Sequence, residues 1–378
     1  MPNLKERTKL ISAKTVPVPL GELSTTHRIF PGDSRKMAKI EDSSVDLVVT
    51  SPPYPMIEMW DGIFSEMNPA IGTFLLEGEA DRAYDLMHQE LDKAWGETWR
   101  ILKPGGIACI NIGDATRTLG EEYRLYPSHS TISMSMKRLG FYESPSIIWK
   151  KQTNSPNKFL GSGTMPPGAY VTLEHEYILI FRKPPRRQFP SGRQKESRAA
   201  SSYFWEERNA WFTDIWEDIK GARQSMHEAD TRKRSAAFPF EVPFRLINMF
   251  SVKGDTVVDP FAGTGTTVMA AAASGRNSVG YEKDNGLASM AMGRLLGSVP
   301  FLRSAAETRI SSHSEYVEAE TASGRNFPHW NSTYGFMVKT APEERLEICV
   351  LKEITQAKEN GCLVAHYEPQ AKSQRPAL

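Results

Sequence analysis

Thr256-Val257-Val258-Asp259-Pro260-Phe261-Ala262-Gly263-Thr264-Gly265-Thr266-Thr267 runs from a β-branched stretch into a glycine-rich turn and then toward helix-forming residues. Three β-branched residues before Asp259 suit a short strand buried on both faces. Gly263 and Gly265 let the backbone bend close to a ligand, and a helix opening just beyond them offers free N–H groups. That helix is expected over 267–273, and a second strand over 278–282, ending in Glu282. Strand, helix and strand in this order describe a parallel βαβ unit of an α/β fold.

Glu282 stands 23 residues beyond Asp259. An acid at the end of the next strand can accept both hydrogen bonds of a ribose diol. The turn departs from Gly-x-Gly-x-x-Gly, because Val268 occupies the place of the third glycine, and it is no Gly-x-x-x-x-Gly-Lys phosphate loop. A ligand with a ribose but no required phosphate fits these residues, and S-adenosylmethionine is such a ligand. Residues Asp259, Pro260, Phe261, Ala262, Gly263, Thr264, Gly265, Thr266, Thr267 and Glu282 are therefore the candidate cofactor contacts. The bland alternative is a tight βα turn followed by an exposed Glu.

Far upstream, Val45-Asp46-Leu47-Val48-Val49-Thr50 reads as another buried strand, stopped by Ser51-Pro52-Pro53-Tyr54. Two prolines remove two backbone donors and leave carbonyl oxygens free to accept. An aromatic amino group needs such acceptors. Its lone pair is delocalised into the ring until hydrogen bonds to its N–H groups draw the nitrogen toward sp³ geometry. Ser51 Oγ and the Pro52 carbonyl can supply two acceptors, and Tyr54 can stack on an extruded base for about 1–3 kcal/mol, against the few kcal/mol that flipping costs. Alone, a proline pair after a strand is also an ordinary strand end.

Together the two segments resemble the exocyclic-amino DNA methyltransferases of the β arrangement, in which the catalytic block precedes the cofactor block. The resemblance covers 28–152 and 232–297. It implies a methyltransferase core of seven mainly parallel strands in permuted order with an inserted recognition module, S-adenosylmethionine as cofactor, and duplex DNA as substrate. Serine at the head of the tetrad is typical of the cytosine-N4 enzymes, whereas Asp-Pro-Pro-Tyr is more usual for adenine-N6. Phe238-Pro239 matches a Phe-Pro step beside the methionine part of the cofactor, although Arg234-Ser235-Ala236-Ala237 before it departs from the family's run. Asp33, before the tetrad strand, matches an acid near the adenine; a solvent-facing turn aspartate is the alternative. Such enzymes usually protect host DNA from a partner endonuclease, which implies a cytoplasmic, nucleoid-associated protein.

The remaining chain divides around these blocks. Residues 1–27 form a polar arm, 28–182 the catalytic block, 183–233 the recognition region, 234–300 the cofactor block, and 301–378 a small β-rich appendage of unassigned role. A formal net charge of +1 over 378 residues gives no overall basic character, so any electrostatic footprint for DNA must be local. From Arg182 to Arg198 seven basic residues face one acid, which makes Arg182, Lys183, Arg186, Arg187, Arg193 and Lys195 candidate phosphate contacts; a solvated loop is the alternative. Two further loops, 55–71 with Trp60 and Phe64 and 152–170, are candidates to approach the DNA. Trp205, Trp211 and Trp216 read as module core.

No long apolar stretch suggests a membrane span. Cys109, Cys349 and Cys362 lack metal-ligand spacing, so a reducing compartment and no metal site are expected. Cys109 sits within an apolar strand and reads as core, which argues against carbon-5 methylation with its cysteine nucleophile. Adenine-N6 methylation remains the nearest rival. An RNA or small-amine methyltransferase and an inactive DNA-binding protein are more distant ones.

Overall fold

The computed structural model describes residues 23–119, 122–151, 162–220, 238–358 and 361–369. Most of the polar arm, 152–161 of the second loop, 221–233 of the recognition region and Arg234 to Ala237 lie outside them. The first half supplies β1 (Ser24–Pro31), β2 (Val45–Thr50), α1 (Asp61–Met67), α2 (Pro69–Leu76), α3 (Ala80–Ile101) and β3 (Leu102–Ile112). A hairpin of β4 (Ala115–Leu119) and β5 (Glu122–Tyr126) follows, then α4 (Ser128–Arg138), β6 (Tyr142–Lys150) and β7 (His175–Arg182). Next come α5 (Gly192–Ala200), α6 (Trp205–Trp211) and β8 (Ile215–Trp216). The later block holds α7 (Glu241–Phe250), β9 (Thr256–Asp259), α8 (Thr266–Ala273), β10 (Asn277–Glu282) and α9 (Asn285–Leu296). The chain continues through α10 (Val299–Ala322), β11 (His329–Asn331), β12 (Phe336–Val338), β13 (Leu351–Gln356) and β14 (Cys362–Tyr367).

Ten of these strands form one mixed sheet in the order β13-β14-β1-β10-β9-β2-β3-β7-β6-β8. From β1 to β3 every neighbouring pair is parallel. β7 runs antiparallel to both β3 and β6. The sheet has ten strands where seven were expected, with β8 at one edge and β14 and β13 at the other. Pairing β14 to β1 covers an edge that would otherwise expose unpaired backbone groups.

Burial on both faces explains why the strands read as continuous apolar runs. In β2, Leu47 and Val49 join one core with Val268, Ala271 and Leu246. Val45 and Val48 join the other with Met87, Leu91 and Trp95 of α3. Alternation sets Val48 opposite Leu47 and Val49, and a register irregularity between Val45 and Leu47 accompanies the place of Val45 on the Val48 side.

The 301–378 region is not a separate appendage. α10 carries only three buried residues, Leu302, Ala306 and His313, so its stripe is thin and its sequence does not announce a helix. It packs on α8 and β13, and Ala306 shares a core with Phe204, Val338, Leu346 and Ile348. Arg309 pairs with Glu207 at 2.5 Å and His313 with Glu206 at 2.7 Å, tying α10 to α6 of the expected recognition region. Among the described residues no helix is long and apolar enough to cross a membrane.

β2 and β9 are neighbours, yet the chain leaves them in opposite directions across the sheet: β2 through α3 to β3, β9 through α8 to β10. A crevice opens beyond the carboxyl ends of strands at such a switch point.

Candidate active site

Both segments singled out in the sequence sit at that crevice. A cavity of about 520 Å³ is lined by Ser51, Pro52 and Pro53 after β2, by Asp259 to Gly263 after β9, and by Glu282 at the end of β10. Gly32 and Asp33 beyond β1, Thr266 and Phe238 also line it. This volume falls within the usual range for a cofactor-sized ligand.

The two halves are fastened by Asp259. Its Oδ1 accepts from Thr50 Oγ at 2.6 Å and Phe261 N at 3.0 Å, and its Oδ2 from Thr267 Oγ at 2.7 Å. One carboxylate thus ties the last residue of β2 to the turn after β9 and to the first turn of α8. Burial pushes its pKa up to about 6, because hydroxyls and an amide compensate the charge less than a cation would.

Glu282 accepts from Gly263 N at 2.9 Å through Oε2 and from Asp284 N at 3.0 Å through Oε1. Those bonds leave lone pairs on a carboxylate that lines the cavity, and burial holds its pKa above the usual glutamate range. Asp33 caps the 3-10 turn after β1 and pairs with Arg35 at 2.6 Å, while Arg35 also reaches Glu90. Burial opposes ionisation of Asp33, but Arg35 outweighs it and holds the carboxyl below its usual value.

The charge balance of the cavity discriminates among ligands. Asp33, Glu66, Asp259, Glu282 and Asp284 line it, against Lys283 as the one basic lining residue among the described residues. Such a wall favours a ligand with positive charge and hydroxyl donors and disfavours a polyphosphate. S-adenosylmethionine, with a sulfonium, an ammonium and a ribose diol, fits the residues present.

Not every expected cofactor residue lines the cavity. Gly265 holds φ +78° as the cap of α8, and a Cβ there would meet the Ala291 Cβ at 3.0 Å. Thr264 and Thr267 are 2% and 1% exposed, and Val268 is core, which explains the missing third glycine. Thr264, Gly265, Thr267 and Pro239 shape the turn and its surroundings from behind.

Tyr54 differs from the expected open stacking platform. It is 6% exposed, and its hydroxyl joins a buried network that sequence reasoning missed. Ser51 Oγ donates to Tyr54 Oη at 3.0 Å, and Tyr54 Oη donates to Glu176 Oε2 at 3.0 Å. Asn111 Nδ2 donates to both, at 2.8 and 2.7 Å, and Lys151 Nζ donates to Glu176 Oε1 at 2.7 Å. Asn111 and Glu176 lie near the ends of β3 and β7 that meet at this edge. In the sequence Asn111 stands out as a polar residue between Ile110 and Ile112, whereas Glu176 follows His175 at the start of β7 and carries no such signal.

The loop 55–71 contributes differently from expectation as well. Trp60, with Met59, Ile63 and Met67, lines the cavity, whereas Phe64 and Ile71 are fully buried core. In the second loop Tyr170 stacks on Tyr123 of the hairpin, ring centroids 4.2 Å apart. Burial raises the Cys109 thiol far above its usual range, in keeping with a core residue.

The basic run turns out to lie at the opposite edge. β7 is antiparallel to β3, and Arg182 pairs in register with Ile107, which in turn lies beside Leu47 in the first half of β2. The five residue steps of β2 separate the two edges by roughly 16 Å. Lys183 Nζ donates to the Trp99 and Leu102 carbonyls at 2.6 and 2.8 Å. Arg187 pairs with Asp255 at 2.6 Å. Both charges thus have partners within the fold. Arg182 is half-buried on its strand, and α5 with exposed Arg193 and Lys195 continues on the same side, its Ser201 cap bonding Lys253 N just before β9. Arg186 is exposed.

A family model described as DNA methylase matches residues 45–293. The type II methyltransferase M.MthZI of Methanothermobacter thermautotrophicus is 45% identical over 355 residues, 93% of this chain and 98% of its own length. M.MjaI of Methanocaldococcus jannaschii, also a type II methyltransferase, is 52% identical over 277 residues, 70% of this chain and 90% of its own. Among solved structures, TTHA0409 of Thermus thermophilus in complex with S-adenosyl-L-methionine superposes with a TM-score of 0.56 at 34% identity, covering 72% of this chain and 96% of that one.

Proposed function

The chain belongs to the DNA methylase family, and from that premise we propose that it methylates the exocyclic N4 of a cytosine flipped out of duplex DNA. The observation that carries the choice of base is Ser51 at the head of the tetrad, on the wall of the cofactor cavity. A neutral hydroxyl and the Pro52 carbonyl accept from the amino group and draw its nitrogen toward sp³ geometry. Holding nitrogen and methyl in line supplies much of the remaining rate. S-adenosylmethionine supplies an electrophilic methyl group on a sulfonium. Glu282 accepts from its ribose, Asp33 faces its adenine, and Phe238 flanks its methionine part. Relatives named as type II methyltransferases support a role in protecting host DNA beside an endonuclease.

Nucleoside mass spectrometry of DNA from cells expressing the protein tests the choice of base. N4-methylcytosine is expected; N6-methyladenine alone would transfer the assignment to adenine and leave the amino-group chemistry standing.

A further inference from the structure

The network behind Ser51 has only one consistent set of donors. An ionised Glu176 carboxylate can only accept, so the Tyr54 hydroxyl must give its single proton to Glu176 Oε2. Tyr54 then has nothing left to donate, so the bond to Ser51 must run from Ser51 Oγ to Tyr54 Oη. Asn111 seals the arrangement. Its Nδ2 donates to Tyr54 and to Glu176, and the reversed amide would set its oxygen against the carboxylate. Lys151, at 2.7 Å, compensates the buried charge from the other side. Tyr54 cannot itself be an anionic base, because burial first and the Glu176 charge second raise its pKa well above the ordinary value.

Two consequences follow for Ser51. Its proton points inward, so its lone pairs are what the cavity meets. It is also joined by an unbroken run of hydrogen bonds, each 3.0 Å, to a carboxylate that is only 8% exposed.

We propose that Glu176 is the final acceptor of the proton lost by the target amine, reached through Ser51 and Tyr54. The nitrogen forms its bond to the methyl carbon as the methyl–sulfur bond breaks, with that electron pair staying on sulfur. The nitrogen, now positive, releases one proton to Ser51 Oγ. Ser51 passes its own proton to Tyr54 Oη, and Tyr54 passes its own to Glu176 Oε2, which becomes a neutral acid. Each hydroxyl ends with one proton, and one positive charge has moved from sulfur to the carboxyl. Glu176 and Asn111 act through Tyr54 and are positioning residues in the free enzyme. This inference rests on the reading of Ser51 as the amine's acceptor.

Tyr54→Phe keeps the ring and its packing and leaves Glu176 bonded to Asn111 and Lys151, so the variant is expected to fold. Single-turnover methyl transfer should fall about 100-fold in Tyr54→Phe and in Glu176→Gln, the range of general acid–base catalysis. Cofactor affinity by calorimetry and KM for DNA should stay within about twofold, since neither residue lines the cofactor cavity. The double variant should be no slower than the slower single variant, because the two groups act as one unit. Glu176→Asp should recover part of the rate. Tyr54→Phe turning over within about threefold of the parent, or losses that multiply in the double variant, would overturn the relay. If Tyr54→Phe is active while Ser51→Ala is dead, the relay alone fails and the amine-acceptor reading stands.

Discussion

β2 and β9 lie side by side, and their two ends are built on opposite principles. At their starts stand Asp46 and Asp255, 6% and 3% exposed, both met by cations. Lys103 bonds Asp46 at 2.8 Å and Arg187 bonds Asp255 at 2.6 Å. At their carboxyl ends stand Ser51 and Asp259, and there the buried acid is met by two hydroxyls and one amide. The same residue type meets a cation at one edge and only neutral donors at the other, although burial and the neighbouring Asp255 charge still raise the pKa of Asp46. The starts are closed ion pairs that hold the sheet; the ends give an acceptor-rich cavity suited to a cationic ligand. Strand direction, not composition, decides which edge can do chemistry.

The largest expected effect breaks the carboxyl end. On the proposed function, Ser51→Ala removes an acceptor for the amine, and methyl transfer measured with tritiated cofactor should fall by about 10²–10³, the loss found when one preorganised hydrogen-bonding group is deleted. Cofactor binding should survive, because the Asp259 brace and Glu282 remain. Wild-type turnover in this variant would remove Ser51 from the site.

Next comes the opposite edge. Arg187→Ala leaves Asp255 buried, with its bond from Val252 N but without its cation. Breaking a buried pair costs about 3–5 kcal/mol, and partial exposure of Arg187 reduces this to roughly 2–3 kcal/mol, read as a lower midpoint of urea unfolding. DNA affinity of the folded variant should keep its salt dependence. A phosphate contact would instead lower the salt slope by about one.

What was legible follows the same division. Strand–turn–helix order and the two motifs are local patterns, and they located the cavity, Ser51, Asp259 and Glu282. Strand direction is not local. The antiparallel run of β7 carries Arg182 to the far edge, and no count of basic residues in 182–198 encodes that. Asn111 escaped as one polar residue between isoleucines and Glu176 as one of the polar residues at the start of β7, and their meaning appears only when β3 and β7 are in register. α10 escaped because three buried residues make too thin a stripe.

A pH-dependent effect of similar size sharpens the comparison at Asp259. The pKa of Asp259 is raised from 3.8 to about 6 in the folded protein. A raised acid favours the folded state when protonated, so its contribution is complete below about pH 4 and is lost as pH rises through about 6. Two units correspond to about 3 kcal/mol. Asp259→Asn does not titrate, so relative to the variant the parent should lose up to that amount between pH 4 and 7 in urea unfolding. Acids held below their usual values, such as Asp33 and Glu90, drive an opposite trend, but it is common to both proteins and cancels in the difference. A difference that is flat with pH would mean that the charge of Asp259 is fully compensated in the fold.

The smallest effect is expected in the basic run. Arg193 and Lys195 lie exposed on α5, on the side of the sheet away from the cavity. Reversing both charges to Glu should change stability by no more than about 0.5 kcal/mol, as for other surface positions without a specific partner. Each phosphate contact contributes about 0.9 to the slope of log affinity against log salt. If DNA enters at the carboxyl edge, as a base bound beside Ser51 requires, the double reversal should leave both slope and turnover unchanged. A slope reduced by two contacts would instead mean that duplex wraps from one edge of the sheet to the other, and the two ends of β2 and β9 would then share the substrate.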